Sequence, residues 1–342
     1  MMDSPAVRWM LGLCTAILVG AALSVSQAVL APVVFAIFTI ALVWPVQVAL
    51  QERIPKLVAL LVTTAVALAA LVLLGLVIAW AFGSVGTWVV ANAANLQGLY
   101  AQKIAWLEGR GVPVAGVLGT LDPRWMVRVA QAVLGQMQGL LTFILLTLVF
   151  VALGLAEVDV ARRQLERLGD GVPAALRRAA VRSASKFRTY MMVRTIMSLL
   201  TGVVVWAFAR AIGLDLAAEW GAIALVLNYI PFIGPLVATL FPTAFAILQF
   251  GEWQAAVTVF VVLQVVQSVG GSAIEPWLTG ARLAVSPFMV LLAVFLGSLV
   301  WGIQGAFIGV PVLIATLVLC EEFPASRWVA ELLSGRDGPL PR

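Results

Sequence analysis

Two clusters of proline, glycine and amide residues interrupt apolar runs in the last third of the chain. They are Asn228-Tyr229-Ile230-Pro231-Phe232-Ile233-Gly234-Pro235 and Trp301-Gly302-Ile303-Gln304-Gly305-Ala306-Phe307-Ile308-Gly309-Val310-Pro311. Proline lacks an amide hydrogen and glycine loosens the helical ladder, so each cluster frees peptide groups that a helix would pair. In hydrocarbon each unpaired group costs on the order of several kcal/mol. Such breaks hold only where protein or water satisfies the freed groups again. Pro231, Gly234 and Pro235 in one run, with Gly302, Gly305, Gly309 and Pro311 in the other, therefore point to a polar interior and to transport.

The amides beside the breaks suit the same chemistry. Asn228 and Gln304 can hydrogen-bond a hydroxylated solute, or tie two helices together. Gln264 and Gln267 lie about one turn apart on the intervening run and can share a face. Glu275 is the acidic residue closest to a motif in the C-terminal half. A carboxylate near a membrane can carry a cation or a proton, and it can equally pair with Arg282 at a helix end. The chain has no histidine, which removes imidazole-based zinc sites, Ser-His-Asp triads and histidine proton relays. No metal site, cofactor or enzymatic activity is expected: the spans hold no paired carboxylates, and no phosphate-binding Walker motif occurs.

The elements that must position these residues are membrane helices. The chain has 342 residues, 63% hydrophobic and 11% charged, against about a quarter charged in soluble domains. Trp9–Leu30, Val33–Leu50, Leu57–Phe82, Leu140–Ala156 and Met191–Phe208 approach the roughly 20 residues that cross a bilayer. The expected fold is an all-α membrane protein, a polytopic helical bundle with two Pro/Gly-broken helical hairpins in its C-terminal half. The broken stretches are 217–250, with a further break at Pro242, and 286–320. Each reads either as a re-entrant hairpin or as a pair of short spans. Arg8 before an apolar run imitates a secretory signal, but a second run follows Pro32 at once, so a retained tight hairpin is expected. Trp9, Trp80, Trp206, Trp220 and Trp253 fall at segment ends and read as interfacial anchors.

Charge sets the orientation. Arg162, Arg163, Arg167, Arg177, Arg178, Arg182, Lys186, Arg188 and Arg194 crowd one stretch, as a cytoplasmic loop does under the positive-inside bias, with anionic lipids rather than nucleic acid as its partner. The expected organisation is N-terminal transmembrane helices over 1–82, an external amphipathic helical insert over 83–138 with a helix start at Asp122-Pro123, and a transmembrane helix over 139–157. A cytoplasmic basic helical loop over 158–189, a motif-rich transport region over 190–322 and a cytoplasmic tail over 323–342 follow. Both termini are then cytoplasmic. The two hairpins open from opposite leaflets, the inverted arrangement that brings broken segments together near a midplane solute site. Cys14 and Cys320 read as small apolar residues.

The motif Asn228–Pro235, Glu275-Pro276 with Gly280 and Ser286-Pro287, and the run Gly302–Pro311 resemble the autoinducer-2 exporter family of bacterial membrane proteins. The order of elements is similar across nearly the whole chain, while the specific motifs lie between Asn228 and Pro311. The resemblance implies an inner-membrane exporter or permease of autoinducer-2 or a similar small polar solute, with elevator-like movement in a homo-oligomer, a pentamer. It also implies sodium/proton exchange in some members, so a cation/proton antiporter using Glu275, with Na+ or H+ as partner, stays open. A membrane scaffold that recruits partners through the basic loop stays open as well.

Overall fold

The computed structural model describes residues 5–93, 124–274 and 285–333, with the single positions 98, 102 and 109. Among the described residues every regular element is helical: α1 (Pro5–Val25), α2 (Gln27–Gln51), α3 (Lys56–Ala91), α4 (Arg124–Arg167), α5 (Val172–Ala211), α6 (Ala217–Leu227), α7 (Ile233–Phe250), α8 (Trp253–Val269), α9 (Pro287–Glu322) and α10 (Arg327–Leu333). Seven of the described helices, α2 to α5 and α7 to α9, are long and apolar enough to cross a membrane. Their large apolar side chains stay largely uncovered, Leu61 and Leu73 at 62% and Leu145 at 61%, as surfaces meeting lipid rather than water do. The protein is an all-α, multi-pass membrane protein.

Several boundaries differ from those read in the sequence. The first bend falls at Ser26 (φ −88, ψ 12) and Pro32 lies inside α2. The Ser26 N–H still donates to Ala22 O at 3.0 Å, and its carbonyl still accepts from Leu30 N at 2.9 Å. The chain bends there without a loop, so the tight hairpin expected at Pro32 does not form. Pro45 also sits within α2. Its missing N–H orphans the Ala41 carbonyl four residues back, and Arg188 repairs the gap by donating to that oxygen at 3.0 Å. The helices α3 and α4 contain no proline and run straight through the expected boundaries near Gly83, Gly139 and Glu157. Asp122-Pro123 and most of the expected amphipathic insert lie outside the described residues. Pro242, expected as a second break, is accommodated inside α7.

The chain forms two compact units. The first comprises Met1–Ala70, Phe143–Met192 and Thr279–Arg342. Its core sets Ala36 of α2, Ala67 of α3, and Val151 and Leu155 of α4 together, with Ile40 and Trp44 packed against them. Phe35 and Phe143 meet edge to face, centroids 5.0 Å apart. Lys56 and Asp159 pair at 3.8 Å, so the start of α3 and the end of α4 share one end of this unit. There, Arg178, Arg182 and Lys186 of α5 converge on Glu321 and Glu322, the last residues of α9.

The second unit comprises Leu71–Thr142 and Val193–Leu278. Its core holds Val205 and Ala209 of α5, Trp220 and Ala224 of α6, Ala238 and Phe245 of α7, and Val259 and Leu263 of α8. Trp220 is 2% exposed and its ring lies 5.2 Å from that of Phe245. It donates its indole N–H to Asp215 O at 3.1 Å. Trp220 is thus a core residue, and the interfacial role expected for it is corrected: its polar end is satisfied locally, so the ring can be buried whole. Trp253, at the start of α8, stays 64% exposed.

Candidate functional site

One face of α5 carries three of the buried polar residues of the second unit, Arg194, Ser198 and Thr201. Its buried positions recur as Arg194, Met197, Ser198, Thr201, Val205 and Ala209, the spacing of a single helical stripe. The first half of that stripe is polar and the second apolar. The apolar half presses on α6, where a Cβ at Gly202 would stand 2.9 Å from Gly221 O. Such near-contact of backbones is what small residues permit. Toward its polar half, α5 meets the end of α6: Tyr229 donates its hydroxyl to Thr195 Oγ1 at 2.9 Å. Met197 marks another wall, because a Cβ at Gly270 would come within 3.2 Å of its Cε. Gly270 opens a π-helical turn, Gly270–Ile274, at the end of α8. Such turns are uncommon and recur at functional positions.

The polar half is donor-rich. Arg194 is 8% exposed although it lies in a membrane-grade run, where an ionised side chain by default has a task. Ser198 is wholly buried and its Oγ has no hydrogen-bond partner among the described residues. Asn228, next to Tyr229, is 6% exposed at the C-terminal cap of α6.

The break beside these residues is strained. Phe232 has φ 63 and ψ −54, and Ile233 N donates to Pro231 O at 2.7 Å. This is a γ-turn of the rare positive-φ form, held by a non-glycine residue at a cost of order 1–3 kcal/mol. The Ile230 N–H caps Leu227 O at 2.8 Å and Gly234 N donates to Ile230 O at 3.0 Å. Gly234 lies directly against the Leu227 carbonyl, and any Cβ there would overlap it. The reversal from α6 to α7 therefore needs glycine at that position. With 11 residues, α6 rises about 16 Å, short of the ~30 Å hydrocarbon core.

The second break lies in the first unit and is built on the same plan. In α9, Trp301 (φ −131, ψ 22) and Gly302 (φ 59, ψ −139) leave the helical region, and the Gly302 conformation is open essentially to glycine alone. Gly309 comes against Ala293 O, and Gly305 against Gly297 O. In a straight helix the first pair would be about 24 Å apart, so α9 is folded into two antiparallel arms. Residues 287–300 rise about 21 Å, again too little to cross. The polar groups exposed at this turn are satisfied within the unit. Gln27 Nε2 donates to Trp301 O at 3.1 Å and to Gln304 Oε1 at 3.2 Å, and Trp301 Nε1 donates to Leu23 O at 2.8 Å.

The residues expected at one site are thus distributed over two units. Asn228, Pro231, Gly234 and Pro235 belong to the second, as do Gln264, exposed on α8, and Gln267, half-buried one turn on. Gly302, Gln304, Gly305, Gly309 and Pro311 belong to the first. There Gln304 ties α9 to α2, Gly305 and Gly309 serve arm-to-arm packing, and Pro311 is buried in the second arm. Glu275 follows the π-helical turn in sequence and lies outside the described residues. Sequence reasoning missed Arg194, Thr195, Ser198, Tyr229 and Phe232 in the second unit, and Gln27 in the first. In the sequence Arg194 reads as the last cation of the basic stretch. The signal that finds it is the polar stripe Arg194, Ser198, Thr201 in an apolar run.

The sequence is similar to that of known proteins, in some of them along nearly the whole chain. A family model described as AI-2E family transporter matches residues 11–325. The AI-2 transport protein TqsA of Escherichia coli (strain K12) is 28% identical over 335 residues, covering 95% of this chain and 94% of the relative. A putative transport protein of Haemophilus influenzae is 24% identical over 339 residues, 95% of this chain and 96% of the relative. The putative transport protein YhhT of Escherichia coli (strain K12) is 32% identical over 122 residues, 36% of this chain and 35% of the relative.

Proposed function

The chain belongs to the AI-2E transporter family, and from that premise we propose that it moves a small polar organic solute, of the AI-2 kind, across the bacterial inner membrane by alternating access of the elevator type. The observation that carries this reading is the buried polar half of the α5 stripe, tied by the bond from Tyr229 to Thr195 to the segment that makes the strained turn at Phe232. The Ser198 hydroxyl is buried without a partner among the described residues, and a buried donor of that kind is retained at a cost of about 1–3 kcal/mol. A solute bearing oxygen acceptors relieves that cost while it is bound. Positive-φ strain at Phe232 adds a turn that can exchange between conformations as solute enters and leaves. In this reading both termini are cytoplasmic, the protein works as a homo-oligomer, and the uncompensated part of the basic loop faces anionic lipid.

The test is flux of AI-2 into or out of liposomes that carry the purified protein. We expect flux above that of protein-free liposomes, reduced at least tenfold by Asn228→Leu, which keeps the side-chain size and removes the amide (about 1.4 kcal/mol per factor of ten). Proton or sodium exchange without solute flux would replace this reading with the antiporter.

A further inference from the structure

The donor set of the α5 stripe says more about the solute than that it is polar. Arg194 offers only donors. The Ser198 hydroxyl is buried with no partner among the described residues, and the adjoining turn, which holds the buried Asn228, is tied to α5 by the bond from Tyr229 to Thr195. Arg194 and Ser198 are one helical turn apart on the same buried face. A guanidinium and a hydroxyl one turn apart on a helix face can together hold a carboxylate or phosphate oxygen pair. The same fixed positive charge, in a region of low dielectric, raises the energy of any cation brought there.

We propose that Arg194 is the charge-selecting residue of this site, and that the transported solute carries an anionic group, a carboxylate or a phosphate, beside its hydroxyls. The inference rests on the transport reading above and narrows its substrate class. Neutral polyols of the same skeleton then bind more weakly, and inorganic cations are excluded at this position.

Three probes of one carbon skeleton test it: glycerol, glycerate and glycerol 3-phosphate, measured for uptake into liposomes bearing the full chain. Wild type is expected to favour at least one of the two anions over glycerol by about ten- to a hundredfold, the range of a charge-assisted hydrogen bond. Arg194→Gln should bring that ratio close to one, and Arg194→Lys, which keeps the charge without the planar fork, should restore part of it. Elution volume and helical circular dichroism establish that each variant is folded. If Arg194→Gln does not fold, the wild-type ratio and the Arg194→Lys ratio decide. A wild-type ratio near one, or an unchanged ratio in Arg194→Gln, overturns the proposal. The two readings fail separately. Absence of flux for all three probes and for AI-2 removes the transport assignment, whereas flux of glycerol or AI-2 without either anion removes charge selection alone.

Discussion

Phe232 and Gly234 stand two residues apart and demand opposite things of the backbone. Phe232 occupies φ 63 with its side chain 51% exposed, so it pays strain and returns little packing. Phe232→Gly should raise thermal stability by about 1 kcal/mol, the relieved strain outweighing the entropy of glycine. A lower melting temperature would show that the ring holds the turn. Gly234→Ala should act the other way, costing about 3 kcal/mol as the new methyl pushes the Leu227 carbonyl aside. A variant with unchanged melting temperature and flux would contradict the backbone contact. Gly234 and Gly302 were legible in the sequence because proline and glycine within an apolar run have few other uses. Phe232 was not, since nothing about phenylalanine announces a positive φ. Gln304 was legible as an amide near a break, but its partner Gln27 is 277 positions away, and only folding brings them together.

At the scale of elements, the end of α9 is fastened to α5 by charge. Glu321 and Glu322 have side chains only 14% and 10% exposed, and take donors from Lys186, Arg182 and Arg178. Arg178, Arg182 and Lys186 are therefore engaged within the unit, while Arg177 and Arg162 share Glu166. The sequence displays the cations as a loop charge, and the carboxylates that meet them lie far along the chain, at the end of an element read for its glycines, Gln304 and Pro311. Replacing both acids, as Glu321→Gln with Glu322→Gln, should destabilise the protein by about 3 kcal/mol, because three cations lose half-buried partners at once. Stability at high salt should fall less than that, since the pairs are partly shielded from counterions. Equal stability of the double variant and wild type would mean that packing alone fastens α9. Helix existence was read correctly almost throughout, because twenty-residue apolar runs leave little choice. Helix ends were harder. Pro32, Pro45 and Pro242 are carried inside helices, where neighbouring groups such as Arg188 take over orphaned carbonyls.

For the whole molecule, composition settled the class: a chain 63% hydrophobic and 11% charged has no soluble solution. The division into two units was not legible, since it depends on which distant segments pack together, and each unit draws on several separate stretches. The sequence pointed to the hairpin motifs, which hold the buried Asn228, whereas the buried Arg194, Ser198 and Thr201 reside on α5, a helix the motifs do not include. The central claim is that this face of α5, beside the Phe232 turn, lines the solute's path. Thiol labelling tests it most directly, using Ser198→Cys in a chain whose own thiols, Cys14 and Cys320, are replaced by alanine. In working proteoliposomes, a small water-soluble thiol reagent should modify that position, and added solute should slow the modification in proportion to its occupancy. A thiol that stays unmodified while the liposomes transport, or one modified at the same rate with and without saturating solute, would contradict the account.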